Sequence, residues 1–158
     1  MQNKDIKFMR LAIEKAKQGI KCGQAPFGAC IVKSGEVIAS SHNIVWRNCD
    51  ITAHAEINVI QQACKALKKI DLSGCTIYST CEPCPMCFSA CHWAKVSRIV
   101  FGAGIKDARD FGFNELAISC LKMKQLGSSR IKVCAGVLAE ENRKLFSLWQ
   151  AGSSSRVY

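Results

Sequence analysis

Long apolar runs are absent from this sequence, which predicts no membrane-spanning helix because a bilayer crossing needs about 20 mostly apolar residues. The first residues also lack the apolar stretch of a secretory signal. No internal repeat or low-complexity segment interrupts the chain. Since 49% of the 158 residues are hydrophobic, we expect one globular domain over residues 1–158, located in the cytoplasm.

Acidic residues are also few. The chain has 12 of them against 22 lysines and arginines, which gives a formal net charge of +10. An excess of lysine and arginine over acidic residues is typical of proteins that bind nucleic acid. The charges are scattered, however, and a solvated surface without a nucleic-acid partner explains them equally well. Composition alone leaves both interpretations open.

Cysteine, in contrast, is abundant, with eleven copies. In a reducing cytosol most of these side chains are expected to be small buried hydrophobic groups with free thiols. A disulfide-stapled scaffold is not expected, because the apolar content can already build a core.

Apolar periodicity predicts helices and strands in alternation. The spacing of Ile6, Met9, Ile13 and Ile20 predicts an amphipathic helix over residues 5–22. A β-hairpin is expected at 28–32 and 37–41, strands at 75–80, 98–103 and 130–135, and helices at 83–94, 114–124 and 140–149. A further helix, capped by Asp50-Ile51-Thr52, is expected to end near residue 67. This alternation indicates a layered α/β sandwich.

Two short motifs, His54-Ala55-Glu56 and Pro83-Cys84-Pro85-Met86-Cys87, supply the residue types of a metal centre. His54, Cys84 and Cys87 can bind zinc and leave its fourth position open for water, which is the arrangement of catalytic zinc. Glu56 is then free to transfer protons. His54 and Glu56 lie about 200° apart around an ideal helix, so both reach the metal only if the end of their helix points at it.

Other interpretations of the cysteine pair are a redox site and half of a structural zinc site. A redox pair would not need His54-Ala55-Glu56. A structural site would need a fourth ligand, and none of the available candidates has a standard paired spacing with the others: Cys81, Cys91, His42 and His92. Cys91 is better explained as a core residue. A zinc-binding module without catalytic activity is a further alternative, although Glu56 and the open position argue against it.

The order of helix, hairpin, H-A-E and P-C-x-x-C resembles the cytidine-deaminase-like zinc deaminases, whose signature these two motifs match. Pro26-Phe27-Gly28-Ala29 is similar to the branch that holds guanine deaminases, tRNA adenosine deaminases and fungal-type cytosine deaminases. The resemblance implies a three-layer α-β-α sandwich with a central mixed five-stranded sheet. It also implies one Zn²⁺ per subunit and a homodimer.

Three features resemble the guanine deaminases in particular. Glu115 stands where that family has a second acid near the substrate, which is aspartate in the family example. Tyr158 resembles a terminal tyrosine that closes the active site, and the tail over residues 145–158 either caps its own site or is exchanged between subunits. Trp93 matches an aromatic residue of the family's substrate pocket.

The same resemblance implies further substrate contacts. Asn43 is expected to hydrogen-bond the base, since an amide can both donate and accept. Phe27 is expected to pack against the ring, and Ala55 and Phe113 to line the pocket. There are structural alternatives to these roles. Asn43 could be a turn residue, and the aromatic side chains could be core residues: Phe27, Trp93 and Phe113.

Hydrolysis of guanine to xanthine and ammonia is the activity we expect from these features, with a small purine as the partner. The alternatives are a tRNA adenosine deaminase that makes inosine at the wobble position and a cytosine or nucleoside deaminase. The positive net charge favours the tRNA alternative, and the stretch over residues 136–141 resembles the tRNA adenosine deaminases. Against that alternative, Arg156 is the only basic residue after Leu145, and a nucleotide flipped from an RNA loop needs an open site.

Overall fold

A five-stranded mixed sheet forms the centre of the computed structural model, which describes residues 3–152 and 155–158. Its strands are β1 (Gly28–Lys33), β2 (Glu36–His42), β3 (Cys75–Cys81), β4 (Arg98–Ala103) and β5 (Lys132–Cys134), in the order β2-β1-β3-β4-β5. Strand β1 is antiparallel to β2 and β3, whereas β3, β4 and β5 are parallel. The mixed sheet that the resemblance implied is confirmed.

Helices cover both faces of this sheet. They are α1 (Asn3–Lys21), α2 (Val45–Asn48), α3 (Ala55–Leu67), α4 (Pro85–Trp93), α5 (Ile105–Asp110), α6 (Cys120–Leu126) and α7 (Ala139–Gln150). Successive strand side chains point to opposite faces. Accordingly Val32 and Val100 pack with Met9 of α1 in one buried cluster, while Ile31 and Ile77 pack with α3 and α4 in the other.

The close approach of α1 to β1 depends on Gly28. A Cβ atom at this position would lie 2.2 Å from the carbonyl oxygen of Ala12 and 2.5 Å from the backbone nitrogen of Ala16, so no larger residue fits without moving the helix. The Gly28 N–H donates to the Thr80 hydroxyl at 3.0 Å, which ties β1 to β3. This packing fixes the backbone on which the neighbouring Phe27 stands.

Two sequence predictions differ from the structure. The helix predicted over 114–124 is wrong in its first half, because the chain makes tight turns there and Ser119 then caps α6 by accepting from the Lys122 N–H. The cap predicted from Asp50-Ile51-Thr52 is also displaced. The Asp50 carboxylate accepts from the N–H and hydroxyl of Thr52 in a turn of its own, and α3 begins only after His54.

The eleven cysteines form no disulfide, as expected. Apart from Cys84 and Cys87, five of them are buried, whereas Cys22 and Cys49 are exposed and Cys64 and Cys134 are half-buried, so the expected burial holds only in part. Within the two described ranges, no helix is long and apolar enough to cross a bilayer.

A buried ion pair joins α1 to the sheet and gives a pH-dependent prediction. Asp5 is 4% exposed and accepts from the Arg98 guanidinium at 2.8 and 2.9 Å and from the Tyr78 hydroxyl at 2.8 Å. The hydrogen bond from Arg98 is the main reason why the pKa of Asp5 lies below its ordinary value of 3.8. A carboxyl with a depressed pKa stabilises the fold fully above its unfolded pKa, and this contribution is lost as the pH falls through the folded value.

Asp5→Asn is therefore expected to lower the free energy of unfolding by about 2 kcal/mol at pH 7, between the values for exposed and fully buried pairs. The difference from the unmutated protein should shrink as the pH falls below about 4. Urea unfolding at pH 7 and pH 3 measures both values. Asp110→Asn is the matched control, because it removes the exposed pair with Lys106. An equal loss in the two variants would show that burial of Asp5 contributes nothing.

Candidate active site

Two helix beginnings meet at one point and bring the predicted metal ligands together. His54 is the residue immediately before α3, and Cys84 is the residue immediately before α4, where Pro85 occupies the first helical position. The His54 Nδ1 atom lies 3.8 Å from the Cys84 sulfur and 3.6 Å from the Cys87 sulfur. The end of α3 thus points at the site, which was the condition for His54 and Glu56 to act together.

These separations fit a zinc ion. Zinc with Zn–N bonds of about 2.0 Å and Zn–S bonds of about 2.3 Å in a tetrahedron places the nitrogen and each sulfur about 3.5 Å apart. All three ligand atoms lie within 4.8 Å of one another. Among residues 3–152 and 155–158, no other set of three potential ligands converges in this way.

The four alternative ligands have other surroundings. Cys81 donates to the Gly104 carbonyl, His42 contacts the Asn43 carbonyl, and His92 contacts the Ser129 hydroxyl. Cys91 is fully buried in the core, as predicted. None of the four belongs to the converging ligand set, so a zinc ion held by His54, Cys84 and Cys87 would keep its fourth position for a non-protein ligand.

The charge state of the two cysteines favours metal binding. The hydrogen bond between the Cys84 and Cys87 side chains, together with the His54 imidazole, lowers the pKa of Cys84 to about 4 although burial opposes the shift. The same hydrogen bond and burial raise the pKa of Cys87. One thiolate is therefore already stable beside His54. Zinc binding requires deprotonated cysteines and a neutral histidine, so Cys84 is already in the form that binds the metal.

Glu56 lies beside the three ligands without being one of them. Its side chain is buried, and its two oxygens accept from the Ser79 hydroxyl at 2.9 Å and from the Cys87 thiol at 3.7 Å. Burial raises the pKa of Glu56, and the His54 imidazole opposes this shift. A carboxyl group with a raised pKa, held in one orientation next to an open metal position, is suited to moving protons.

Glu115 reaches the same place from the segment between α5 and α6. It borders a small inner space of about 10 Å³ together with Glu56 and His54. Burial raises the pKa of Glu115 to about 7, and the negative charge of Cys84 adds to the effect. The structure thus brings the predicted second acid to the site.

A wider pocket of about 240 Å³ opens outward from the ligands. The residues that line it come from four parts of the chain: Ile51, His54, Cys84, Pro85, Met86, Phe113, Asn114, Glu115, Leu116 and Tyr158. Phe113 is therefore a pocket residue. Phe27 borders the inner space, and its ring packs edge-on against Phe113 with the centroids 4.9 Å apart. Ala55 is fully buried and borders neither space.

The last residues of the chain cover this pocket. The Tyr158 hydroxyl accepts from the Asn43 side-chain nitrogen at 2.6 Å, and its ring lies 5.7 Å from the His54 ring. Its carbonyl oxygen accepts from the Asn114 N–H. The Arg156 guanidinium lies 4.3 Å from the centre of the Trp46 ring. In this single chain the tail therefore reaches the chain's own site.

Asn43 is fully buried and its orientation is fixed. Its side-chain oxygen accepts from the Val45 N–H at 3.1 Å, and its backbone N–H donates to the Phe27 carbonyl at 2.9 Å. The nitrogen that contacts Tyr158 is thus the polar atom it can offer to another molecule if Tyr158 withdraws.

Trp93 is placed outside the pocket of its own chain, contrary to the expectation from the resemblance. It lies six residues after Cys87, which corresponds to about 9 Å along a helix. Its side chain is 83% exposed and borders a surface depression with Phe88 and Met123 instead. The sequence match placed the residue on the right helix, but the length of α4 carries it away from the zinc ligands.

Among the residues at the site that were not predicted from the sequence, two carboxylate or hydroxyl side chains make hydrogen bonds that hold it together. Ser79 holds Glu56 from the neighbouring strand β3. Glu82 borders the inner space and binds two backbone N–H groups. The position of Glu82 immediately before Pro83-Cys84 is a sequence signal that could have indicated it, whereas Ser79 carries no such signal.

The fold and the three-ligand centre with its adjacent acid define a zinc-type deaminase. Residues 2–103 match the family model of the cytidine and deoxycytidylate deaminase zinc-binding region, and the chain belongs to this family.

Relatives of two kinds resemble the chain. It is 42% identical to a guanine deaminase of Bacillus subtilis over 109 residues, which cover 68% of this chain and 70% of the relative. It is 39% identical to a tRNA-specific adenosine deaminase of the same organism over 137 residues, or 87% of this chain and 83% of the relative. A solved guanine deaminase from Nitrosomonas europaea superimposes with a TM-score of 0.86 at 29% identity, over 93% of this chain and 85% of that one.

Proposed function

We propose that this deaminase converts guanine and water to xanthine and ammonia. The observation that carries the proposal is the position of Tyr158, which lies over the site between Asn43, His54 and Phe113. The pocket left beside it holds about 240 Å³. Pockets for larger ligands usually span about 300–1,000 Å³, so this space suits a free base better than a nucleotide within an RNA loop.

His54, Cys84 and Cys87 would hold one zinc ion per subunit. When bound, the metal supplies Lewis acidity, which lowers the pKa of water from about 16 to about 7. Glu56 accepts a proton from the attacking water and delivers it to the ring nitrogen next to the amino-bearing carbon. A second proton transfer lets the amine leave as ammonia, and the water oxygen becomes the new carbonyl oxygen of xanthine.

The remaining residues would orient the base. The Asn43 amide nitrogen donates to a ring carbonyl once the Tyr158 hydroxyl releases it. Phe27 packs against the ring from the inner space and Phe113 from the wall of the wider pocket. Glu115 lies near the open metal position, and its pKa of about 7 lets it exist in both protonation states at neutral pH. It is suited to accept from, or donate to, the amino group that leaves.

Deamination of adenosine in tRNA is the second candidate. The net charge of +10 favours it, and so does the extent of the match to the tRNA-specific relative, which covers 87% of this chain. The tail argues against it, because a flipped nucleotide enters with its neighbours attached and needs the space that Tyr158 covers.

Ammonia release by the zinc-loaded protein separates these candidates. The substrates are guanine, guanosine, cytosine, adenine and a tRNA anticodon stem-loop that contains adenosine. Rapid formation of xanthine with the RNA unchanged is the expected result. Inosine in the RNA with guanine inert would overturn the proposal in favour of the second candidate. The Glu56→Gln variant, prepared in the same way, controls for contaminating deaminases.

Removing Val157 and Tyr158 is expected to lower kcat for guanine at least about tenfold, because the open site admits water and orients the base poorly. Tyr158→Phe should have a smaller effect, since it keeps the ring and loses only the hydroxyl. Steady-state kinetics of both variants measure this. An unchanged rate after the deletion would show that the tail has no part in turnover.

We also propose a homodimer, and a mixing experiment shows which subunit supplies Tyr158. Co-expression combines a Glu56→Gln chain, which has an intact tail, with a chain that lacks Val157 and Tyr158 but keeps Glu56. If the tail is exchanged between subunits, one site of the mixed dimer contains both intact parts, and activity rises above that of either variant alone. If each tail covers its own site, activity stays at the level of the deletion variant.

A further inference from the structure

Glu82 connects the turn before Cys84 to the segment that carries Glu115, and the relative position of these two parts matters for the reaction. It lies in the turn between β3 and α4, two residues before Cys84. One carboxylate oxygen accepts from the Ile105 N–H at 3.2 Å and the other from the Cys120 N–H at 2.8 Å. Its own N–H donates to the Ala103 carbonyl at 2.8 Å. The side chain and the backbone of Glu82 therefore both attach to the region after β4.

The two N–H groups that Glu82 binds lie at the beginnings of two helices. Ile105 is the first residue of α5 and Cys120 is the first residue of α6. The first N–H groups of a helix have no acceptor within the helix, so a carboxylate satisfies both of them. Between these two anchors runs the segment over residues 106–119, which carries Glu115. Glu82 thus holds both ends of the segment that places the second acid.

The two neighbours of Glu82 in the sequence also contact the ends of the segment that carries Glu115. The Cys81 thiol donates to the Gly104 carbonyl, and the Cys120 thiol donates to the Pro83 carbonyl at 3.3 Å. Three consecutive residues ahead of Cys84 are therefore joined to the ends of the Glu115 segment. Of these three, only Glu82 contacts both ends with its side chain.

We propose that Glu82 is a positioning residue that keeps the zinc ligand Cys84 and the acid Glu115 at a fixed distance from each other. The inference rests on the zinc site of the proposed deaminase, but it does not depend on which base is the substrate. Its action is indirect, because its oxygens are occupied by backbone N–H groups.

Glu82→Gln tests this assignment with little change in volume. An amide has one acceptor oxygen, and its NH₂ group would face the second N–H donor. One of the two anchors is therefore lost. Changes in the groups that orient metal ligands typically cost 10- to 100-fold in metal affinity or activity. We expect zinc affinity, measured by competition with a chelator, to fall about 10- to 100-fold. We also expect kcat to fall more than KM rises, because the base contacts are kept.

Asp107→Asn is the matched control. The Asp107 carboxylate accepts from the Gly104 N–H at 2.8 Å and so also supports the beginning of α5, but it makes no hydrogen bond to residues 81–84. It is expected to lower the melting temperature without changing zinc affinity. Absorption spectra of the Co²⁺-substituted proteins report directly on the ligand geometry. They should change for Glu82→Gln and not for the control.

Wild-type zinc affinity, spectrum and kcat in folded Glu82→Gln would overturn the proposal, and so would equal zinc losses in both variants. If Glu82→Gln does not fold, Glu82→Asp replaces it. This variant keeps two acceptor oxygens on a shorter side chain, so we expect a partial loss of zinc affinity. Unchanged affinity would overturn the proposal. The zinc measurements need no substrate, so a failure of the guanine assignment leaves them interpretable.

Discussion

Replacing Glu56 by glutamine is expected to lower kcat by about 10²- to 10⁴-fold, the usual contribution of a general acid–base group. The amide has nearly the same size, and its oxygen can still accept from the Ser79 hydroxyl that holds Glu56 in the structure. It cannot accept the proton of water at neutral pH. The chemistry should therefore be lost while the fold and the three zinc ligands remain.

Zinc content, circular dichroism and steady-state kinetics of the same preparation check this prediction. Glu14→Gln is a matched control, because Glu14 lies on the exposed side of α1 and, within the described part of the chain, forms an ion pair with Lys17 alone. Its kcat should not change. A Glu56→Gln protein that keeps zinc and turns over at nearly the original rate would remove Glu56 from the catalytic role.

The zinc centre was predictable from the sequence because each of its parts is local. Cys84 and Cys87 belong to one helix beginning, and His54 and Glu56 to another, so each pair is placed by its own backbone. Only the meeting of the two helix ends depends on the rest of the fold. The resemblance to known deaminases supplied that step, and the distances from His54 to both sulfurs agree with it.

Residues whose role depends on tertiary contacts were predicted less well. Ser79 is an ordinary strand residue until β3 brings it to Glu56. Glu82 acquires its two partners only after α5 and α6 have packed against the turn. Trp93 lies outside the pocket of its own chain, since a matching residue type does not show how far along the helix the residue stands from the ligands. Leu116 and Ala117 in the turns over residues 114–119 lie four residues before Cys120 and Leu121 of α6, so periodicity could not exclude a helix there.

Removing a zinc ligand is expected to have the largest effect on activity. Cys87 is fully buried and faces both His54 and Glu56. In Cys87→Ser the hydroxyl group has no accessible ionised form at neutral pH and is a poor substitute for a thiolate zinc ligand. We expect zinc content to fall well below one ion per chain and deamination to fall to the background level. Without the metal, water keeps its pKa of about 16 and is a weak nucleophile.

The stability of the protein supplies a second measurement that does not depend on any substrate. A ligand that binds only the folded state stabilises it by about 4 kcal/mol at a thousand times its dissociation constant. A chelator should therefore lower the melting temperature of the unmutated protein and leave that of Cys87→Ser nearly unchanged, because that variant has no zinc to lose. Cys91→Ser is the matched control, since Cys91 is equally buried on the same helix but does not belong to the converging set of ligand atoms. It should keep its zinc, its activity and its response to the chelator. If Cys87→Ser behaved like Cys91→Ser in all three respects, Cys87 would not be a ligand, and the convergence of the two helix ends would need another explanation.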